Sequence, residues 1–246
     1  MVKKLVLSLA LVALTASPTL AKTIVFATDA TWPPMEFVNA DKQITGYAID
    51  YMKAAGKEAG FTPEFKAVAW DGIFAGLAAG KYNAICSSVS ITDERKKTME
   101  FSTPYFKVRQ ALVVPVKSAA KCIDDMKGKT LGAQISTTGH FAIKKAEGVK
   151  DKSYDEVGLA FEDLYNGRID GVVCDDPVAA QYALQNDKYK GALKIVCIIE
   201  AGDEYYGIAL QKGNTEDLDL INKGIKAVQE KGIDKQLLAK WIGGGK

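Results

Sequence analysis

Phe74-Ala-Gly-Leu-Ala-Ala-Gly80-Lys-Tyr-Asn-Ala-Ile-Cys-Ser-Ser88 is matched 87 residues later by Phe161-Glu-Asp-Leu-Tyr-Asn-Gly167-Arg-Ile-Asp-Gly-Val-Val-Cys-Asp175. Each segment reads as the end of a helix, a glycine, a basic residue, a short apolar strand and a polar residue. The glycine supplies the left-handed conformation that stops a helix. The strand then carries its polar residue to the carboxyl end, beyond which ligands bind in open α/β sheets. Ser88 and Asp175 are therefore expected at equivalent ligand-facing positions in two similar lobes with a cleft between them. Helix–glycine–strand units also recur by chance in any α/β chain, so the repeat needs support from its surroundings.

On both sides of the repeat, short apolar runs alternate with helical periodicity. Strands are expected near 23–28, 61–68, 83–86, 111–116, 130–133, 171–174, 193–198 and 207–210. Helices are expected near 49–59, 72–79, 139–146, 159–165, 177–185, 216–231 and 234–242. This alternation predicts an α/β protein with largely parallel sheets. At 246 residues the chain has room for one or two domains with a sizeable core, and 48% hydrophobic with 25% charged residues is ordinary globular composition.

Residues 1–21, MVKKLVLSLALVALTASPTLA, have a basic start, an apolar stretch from Leu5 to Leu14 and a small-residue end at Ala21. That is the pattern of a signal peptide, too short in its apolar part to span a bilayer. The mature chain is expected to begin at Lys22 and to be exported to the periplasm. Removing Lys3 and Lys4 takes the 32 basic residues to 30, against 30 acidic ones. A balanced charge offers no groove for nucleic acid. One histidine, and cysteines at 86, 122, 174 and 197 without C-x-x-C spacing, argue against a zinc site, and no metal or other cofactor is expected. Export permits disulfides. Cys122 and Cys197 could pair, four cysteines allow three full pairings, and buried free thiols fit equally well.

Three polar clusters stand at expected strand ends. In Ser87-Ser88-Val89-Ser90-Ile91-Thr92-Asp93-Glu94-Arg95, Thr92 can cap a helical turn and Arg95 offers a fork that matches a carboxylate; a capped surface turn with a solvated arginine is the plain alternative. In Gln134-Ile-Ser136-Thr137-Thr138-Gly139, hydroxyls and backbone donors at a helix start could approach the same anion. In Thr28-Asp29-Ala30-Thr31-Trp32-Pro33-Pro34-Met35-Glu36-Phe37, Asp29 offers an acceptor and Trp32 an aromatic face. Trp70 is expected to form another wall. Asp175 suits an ammonium group, since a carboxylate in a cleft needs a charge partner. His140 reads as an ordinary helix-surface histidine: there is no G-x-S-x-G elbow for a triad, and no G-x-G-x-x-G or Walker loop for a nucleotide.

In order along the chain, Thr28-Asp29-x-x-Trp32-x-Pro34, Gly46-Tyr47-x-Ile49-Asp50, Trp70-Asp71-Gly72, Gly80-Lys81-Tyr82-Asn83-Ala84, Ser90-Ile91-Thr92-x-x-Arg95, Phe101-Ser102-x-Pro104-Tyr105, Leu131-Gly132, Gly167-Arg168-Ile169-Asp170 and Asp175-x-Pro177-Val178 resemble the polar amino-acid-binding solute-binding proteins of ABC importers, family 3. The resemblance covers essentially the whole mature chain. It implies a two-lobe periplasmic binding protein fold, each lobe a central mostly parallel sheet flanked by helices. The chain would cross twice at a hinge, giving a first lobe of residues 22–113 plus 204–246 and a second of 114–203.

The resemblance also implies roles. Arg95, with the Ser90 and Thr138 regions, would hold a ligand α-carboxylate, and Asp175 with Ser88 its α-ammonium. Trp32 and Trp70 would sandwich the ligand side chain and Asp29 would read its polar end; Ser87 and Gln134 complete the expected set. Met35, often aromatic in the family, and Ser136, often glycine, depart from its pattern. Asp29 with Glu36 nearby favours arginine, lysine or histidine, with glutamine as a further candidate. The expected partner is an ABC membrane permease and the expected state a monomer. The rival is an enzyme: cyclohexadienyl (prephenate or arogenate) dehydratases resemble the same fold, and there Asp175 would be the general acid.

Overall fold

A computed structural model describes residues 21–243. The leader expected over 1–21 lies, up to residue 20, outside the described residues. In chain order the elements are β1 (Lys22–Thr28), β2 (Thr31–Trp32), β3 (Glu36–Val38), β4 (Ile44–Thr45), α1 (Tyr47–Ala59), β5 (Phe61–Ala67), α2 (Ile73–Ala78), β6 (Ala84–Ile85), α3 (Asp93–Thr98), β7 (Met99–Phe101), β8 (Phe106–Pro115), a 3-10 turn (Ile123–Met126), β9 (Thr130–Gln134), α4 (Thr138–Lys145), β10 (Lys150–Tyr154), α5 (Val157–Tyr165), β11 (Gly171–Asp175), α6 (Asp176–Ala180), β12 (Leu193–Tyr206), β13 (Ala209–Gln211), α7 (Thr215–Glu230) and α8 (Ile233–Trp241). They build two five-stranded sheets, ordered β5-β1-β6-β13-β7 and β10-β9-β11-β8-β12, and a small β2-β3-β4 ribbon.

The repeat is visible in the backbone. Gly80 and Gly167 have φ of 69° and 72°. In the first unit Gly80 N–H donates to the Leu77 carbonyl and Lys81 N–H to that of Gly76. In the second, Gly167 N–H donates to Leu164 and Arg168 N–H to Asp163. Both are the paired bonds of a Schellman stop, which needs the left-handed residue that glycine adopts freely. Each unit then feeds the middle strand of its sheet: β6 runs parallel to β1, and β11 parallel to β9.

The sheets are mixed where largely parallel ones were expected. β1–β5 and β1–β6 are parallel, as are β9–β10 and β9–β11, but β13 is antiparallel to β6 and β7, and β8 to β11 and β12. A parallel neighbour requires a long crossover. β8 and β13 instead arrive over a few residues from strands outside their sheet, and so enter the opposite way. The first expected lobe division, at 113/114, falls inside β8, which pairs with β12 on both sides of it, with a register shift between Ile195 and Cys197 opposite Val113 and Leu112.

Helix α1 buries Tyr47, Tyr51, Met52, Ala55 and Ala59 at helical spacing, against Ile221, Ile225 and Val228 of α7 in one core. Close approach depends on Gly224, where a Cβ would stand 2.6 Å from the Ala55 carbonyl oxygen. β10, Lys-Asp-Lys-Ser-Tyr, was not expected as a strand because it is an exposed sheet edge with no apolar face, and charged edges discourage further pairing. Among the described residues no helix is long and apolar enough to cross a membrane.

Cys122 and Cys197 form a disulfide with a Cα–Cα distance of 5.3 Å, while Cys86 and Cys174 are buried free thiols. The bridge ties the 3-10 turn to β12 across a sequence separation of 75. Closing so long a loop restricts the unfolded chain, so the double variant Cys122→Ser, Cys197→Ser should lose about 2–4 kcal/mol of stability. Urea denaturation checks this, and an unchanged midpoint would contradict it.

Candidate ligand-binding site

A narrow cavity lies where the carboxyl ends of β1, β6, β9 and β11 converge. Asp29, Trp32, Trp70, Ser87, Ser88, Ser90, Arg95, Gln134, Thr138 and Asp175 all line it, joined by Glu36 and Thr137. The structure thus brings together every residue expected at the site. Residues just beyond parallel strands supply most of the wall, and the β2-β3-β4 ribbon adds Trp32 and Glu36.

Arg95 stands in the first turn of α3, where Thr92 caps the helix by accepting from Arg95 N–H at 3.2 Å. Its guanidinium donates to the carbonyls of Ser90 at 2.9 Å and Ser136 at 3.1 Å. It also lies over the rings of Trp70 and Phe74, 5.7 and 5.2 Å from their centroids. Among the described residues it forms no ion pair. Burial pulls its pKa down to about 10, with Glu204 and Asp175 opposing.

Asp175 closes β11 and starts α6 without capping it; the side chain makes no cap bond. Asp176 faces away, accepting from the backbone and guanidinium of Arg109. The Asp175 carboxyl, 5% exposed, accepts from Trp32 Nε1 at 3.1 Å, from Gln110 Nε2 at 2.6 Å and from the Tyr206 hydroxyl. Burial, and then the Glu204 charge, raise its pKa to about 7 against the pull of those donors. It too has no cationic partner among the described residues.

Two further carboxyls share the wall. Asp29 accepts from Gln134 Nε2 at 2.7 Å and Thr31 Oγ1 at 2.9 Å, while its N–H donates to Ser87 Oγ at 2.9 Å. Burial raises its pKa. Glu36 is completely buried and accepts from Ser88 Oγ at 2.8 Å. Ser88 itself has φ of 46°.

Several bonds cross the cavity between the two sheets. Besides Trp32 to Asp175 and Gln134 to Asp29, Trp70 Nε1 donates to the Ile135 carbonyl at 2.8 Å, and Ser90 Oγ and Thr138 Oγ1 stand 3.4 Å apart. The loop they reach is shaped by His140, which is a correction to the sequence reading. It is 4% exposed, not a surface histidine: Nδ1 accepts from Ser136 N–H at 3.1 Å and Nε2 lies 3.3 Å from Asp151. Ser136 has φ of 57°, a left-handed conformation that favours glycine.

Sequence reasoning did not single out Gln110, Glu204 or Tyr206. Gln110 Nε2 bridges Asp175, Thr138 Oγ1 and Glu204, and Thr138 Oγ1 donates to Glu204 at 2.5 Å. One signal was available: Gln110 is the only polar side chain at a buried position of β8, 2% exposed, and a buried amide needs partners.

Residues 24–244 match the family of bacterial extracellular solute-binding proteins, family 3. The chain is 34% identical over 241 residues to the ABC transporter arginine-binding protein 1 of Escherichia coli K12, covering 98% of this chain and 99% of that one. It is 33% identical over 220 residues to a probable histidine-binding protein of Neisseria gonorrhoeae, covering 88% and 81%. An ancestral arginine-binding protein bound to glutamine shares the fold with a TM-score of 0.84 at 39% identity, covering 90% of this chain and 98% of that structure. With its two sheets and one shared cavity, the chain belongs to family 3 of the bacterial extracellular solute-binding proteins.

Proposed function

We propose that the protein captures a basic L-amino acid between two lobes and delivers it to an ABC permease. One observation carries this: a guanidinium and a carboxyl, Arg95 and Asp175, face the same cavity and neither has a charged partner among the described residues. Unpaired charge out of water is unfavourable. A free amino acid brings a carboxylate for Arg95 and an ammonium for Asp175, the latter helped by Ser88, whose hydroxyl proton already points to Glu36 and leaves lone pairs to accept. Three carboxyls and one guanidinium line the cavity. A zwitterion leaves that acidic excess unbalanced, and a cationic side chain offsets it. Arginine, lysine and histidine are favoured, with glutamine a weaker candidate, in keeping with the names of the relatives.

The hinge is the ribbon where Phe106, Lys107 and Val108 pair with Glu204, Tyr205 and Tyr206, so that the first lobe holds the β1 sheet and α7–α8, and the second the β9 sheet. Ligand contacts from both lobes favour the closed state. The leader over 1–21 directs export to the periplasm, and the start of β1 at Lys22, whose ammonium pairs with Asp217 and Glu216 of α7, suits a mature chain beginning there. The protein acts as a monomer. The dehydratase alternative would use Asp175 as an acid, but three donors aimed at that carboxyl favour its service as an acceptor.

A thermal-shift screen of the twenty amino acids tests the reading. Arginine, lysine or histidine should raise the melting temperature most, since a ligand at a hundredfold its Kd adds about 2.7 kcal/mol. No shift with any amino acid would refute it.

A further inference from the structure

Glu36 adds to the acidity of the cavity but is matched to no ligand group in a scheme where Arg95 and Asp175 hold the ligand backbone and Asp29 meets its side chain. It is completely buried in the cavity wall. Oε2 takes the Ser88 hydroxyl, and Oε1, equally buried, has no partner. No cation among the described residues pairs with it, whereas a buried carboxylate is normally paired. We propose that Glu36 sets the preference for cationic over neutral ligand side chains, by releasing a proton when a cation enters the cavity. This rests on the amino-acid reading above.

The surroundings fit that exchange. The charged groups facing Glu36 are Asp29 from the end of β1 and Asp175 from the end of β11, with Arg95 on the far wall; Cys86, Tyr105 and Tyr206 around it stay neutral. Burial and the two like charges hold the Glu36 carboxyl well above the usual range, so the empty site keeps the proton. When the ligand side chain is cationic, the carboxyl O–H bond breaks, the proton passes to the buffer, and the carboxylate faces the new charge. A neutral side chain offers nothing to offset a second buried anion, and the proton stays. Arginine and glutamine carry the same α-ammonium and α-carboxylate, so proton release at Asp175 is common to both and cancels in the comparison.

Calorimetry of the exported chain at one neutral pH, in phosphate and in Tris, reads proton release as the difference in binding enthalpy between buffers. The wild type should release more protons with arginine than with glutamine. Glu36→Gln, which keeps an acceptor for Ser88, should abolish that excess and lower the arginine-to-glutamine affinity ratio at least tenfold. Glu36→Asp, which keeps the acid, should retain the excess. Equal release with the two ligands in the wild type overturns the proposal without any variant. So does an excess that survives in Glu36→Gln, which would assign it to Asp29. If neither ligand binds the wild type, the amino-acid reading itself fails.

Discussion

Replacing Arg95 with alanine is expected to weaken binding of the best amino-acid ligand by about 2–5 kcal/mol, roughly thirtyfold to several-thousandfold. The size follows from what the side chain does. Only two of its five N–H donors are engaged, by the Ser90 and Ser136 carbonyls, and its plane is set by the Trp70 and Phe74 rings. The fork is therefore aimed before ligand arrives, and no ordering is required on binding. Without it, a ligand carboxylate enters a cavity whose other charges are all acidic. Arg95→Lys should recover little, because an ammonium cannot reproduce a bidentate fork held near an indole face. The empty variant should be no less stable than wild type, since a desolvated charge has been removed. Calorimetry against arginine measures the loss; affinity within threefold of wild type would show that the carboxylate is held elsewhere.

The legible and illegible parts of the molecule separate by the range of the interaction. Helix, glycine and strand in the two repeats are fixed by bonds between residues at most five apart, so Gly80 and Gly167 announced their stops, and with them the strand ends that carry Ser88 and Asp175. Thr92 capping α3 is local in the same way. Trp32 and Asp175 meet across 143 residues, and Gln134 and Asp29 across 105; only the ordered set of motifs made those meetings foreseeable. Gln110, Glu204 and Tyr206 belong to no local pattern. Their roles arise because β8 and β12 run side by side, which no short window of sequence states. His140 was misread for a related reason: its ring is buried by a strand-end loop and by Asp151 of β10, a strand too polar to be foreseen. The Cys122–Cys197 pairing stayed open until the 3-10 turn and β12 were seen to adjoin.

Asp175→Asn should produce two changes of opposite sign: affinity for amino acids falls by about a hundredfold or more, while the empty protein becomes more stable at pH 8. The binding loss is that of a buried charge partner for the α-ammonium. The stability gain comes from the same burial. A carboxyl whose pKa rises from 3.8 in the unfolded chain to about 7 in the folded one leaves the folded state holding more protons between those values. Stability of the empty protein then declines as pH rises through that window and levels off above it. Asparagine removes the dependence, so variant and wild type should melt together near pH 4 and diverge by pH 8. The amide fits the existing donors: its oxygen can take Trp32 and Tyr206, and its NH2 can face Gln110 once that side chain turns its unpaired Oε1 inward. Ligand binding inverts the trend, because the ammonium requires the ionised form. Wild-type affinity for glutamine, whose binding leaves the Glu36 proton in place, should therefore rise up to tenfold per pH unit towards about 7 and flatten above it, whereas any residual affinity of the variant should lack that component. A variant that melts below wild type at pH 8, or binds arginine undiminished, would show that Asp175 is a structural carboxyl and not the seat of the ligand's ammonium.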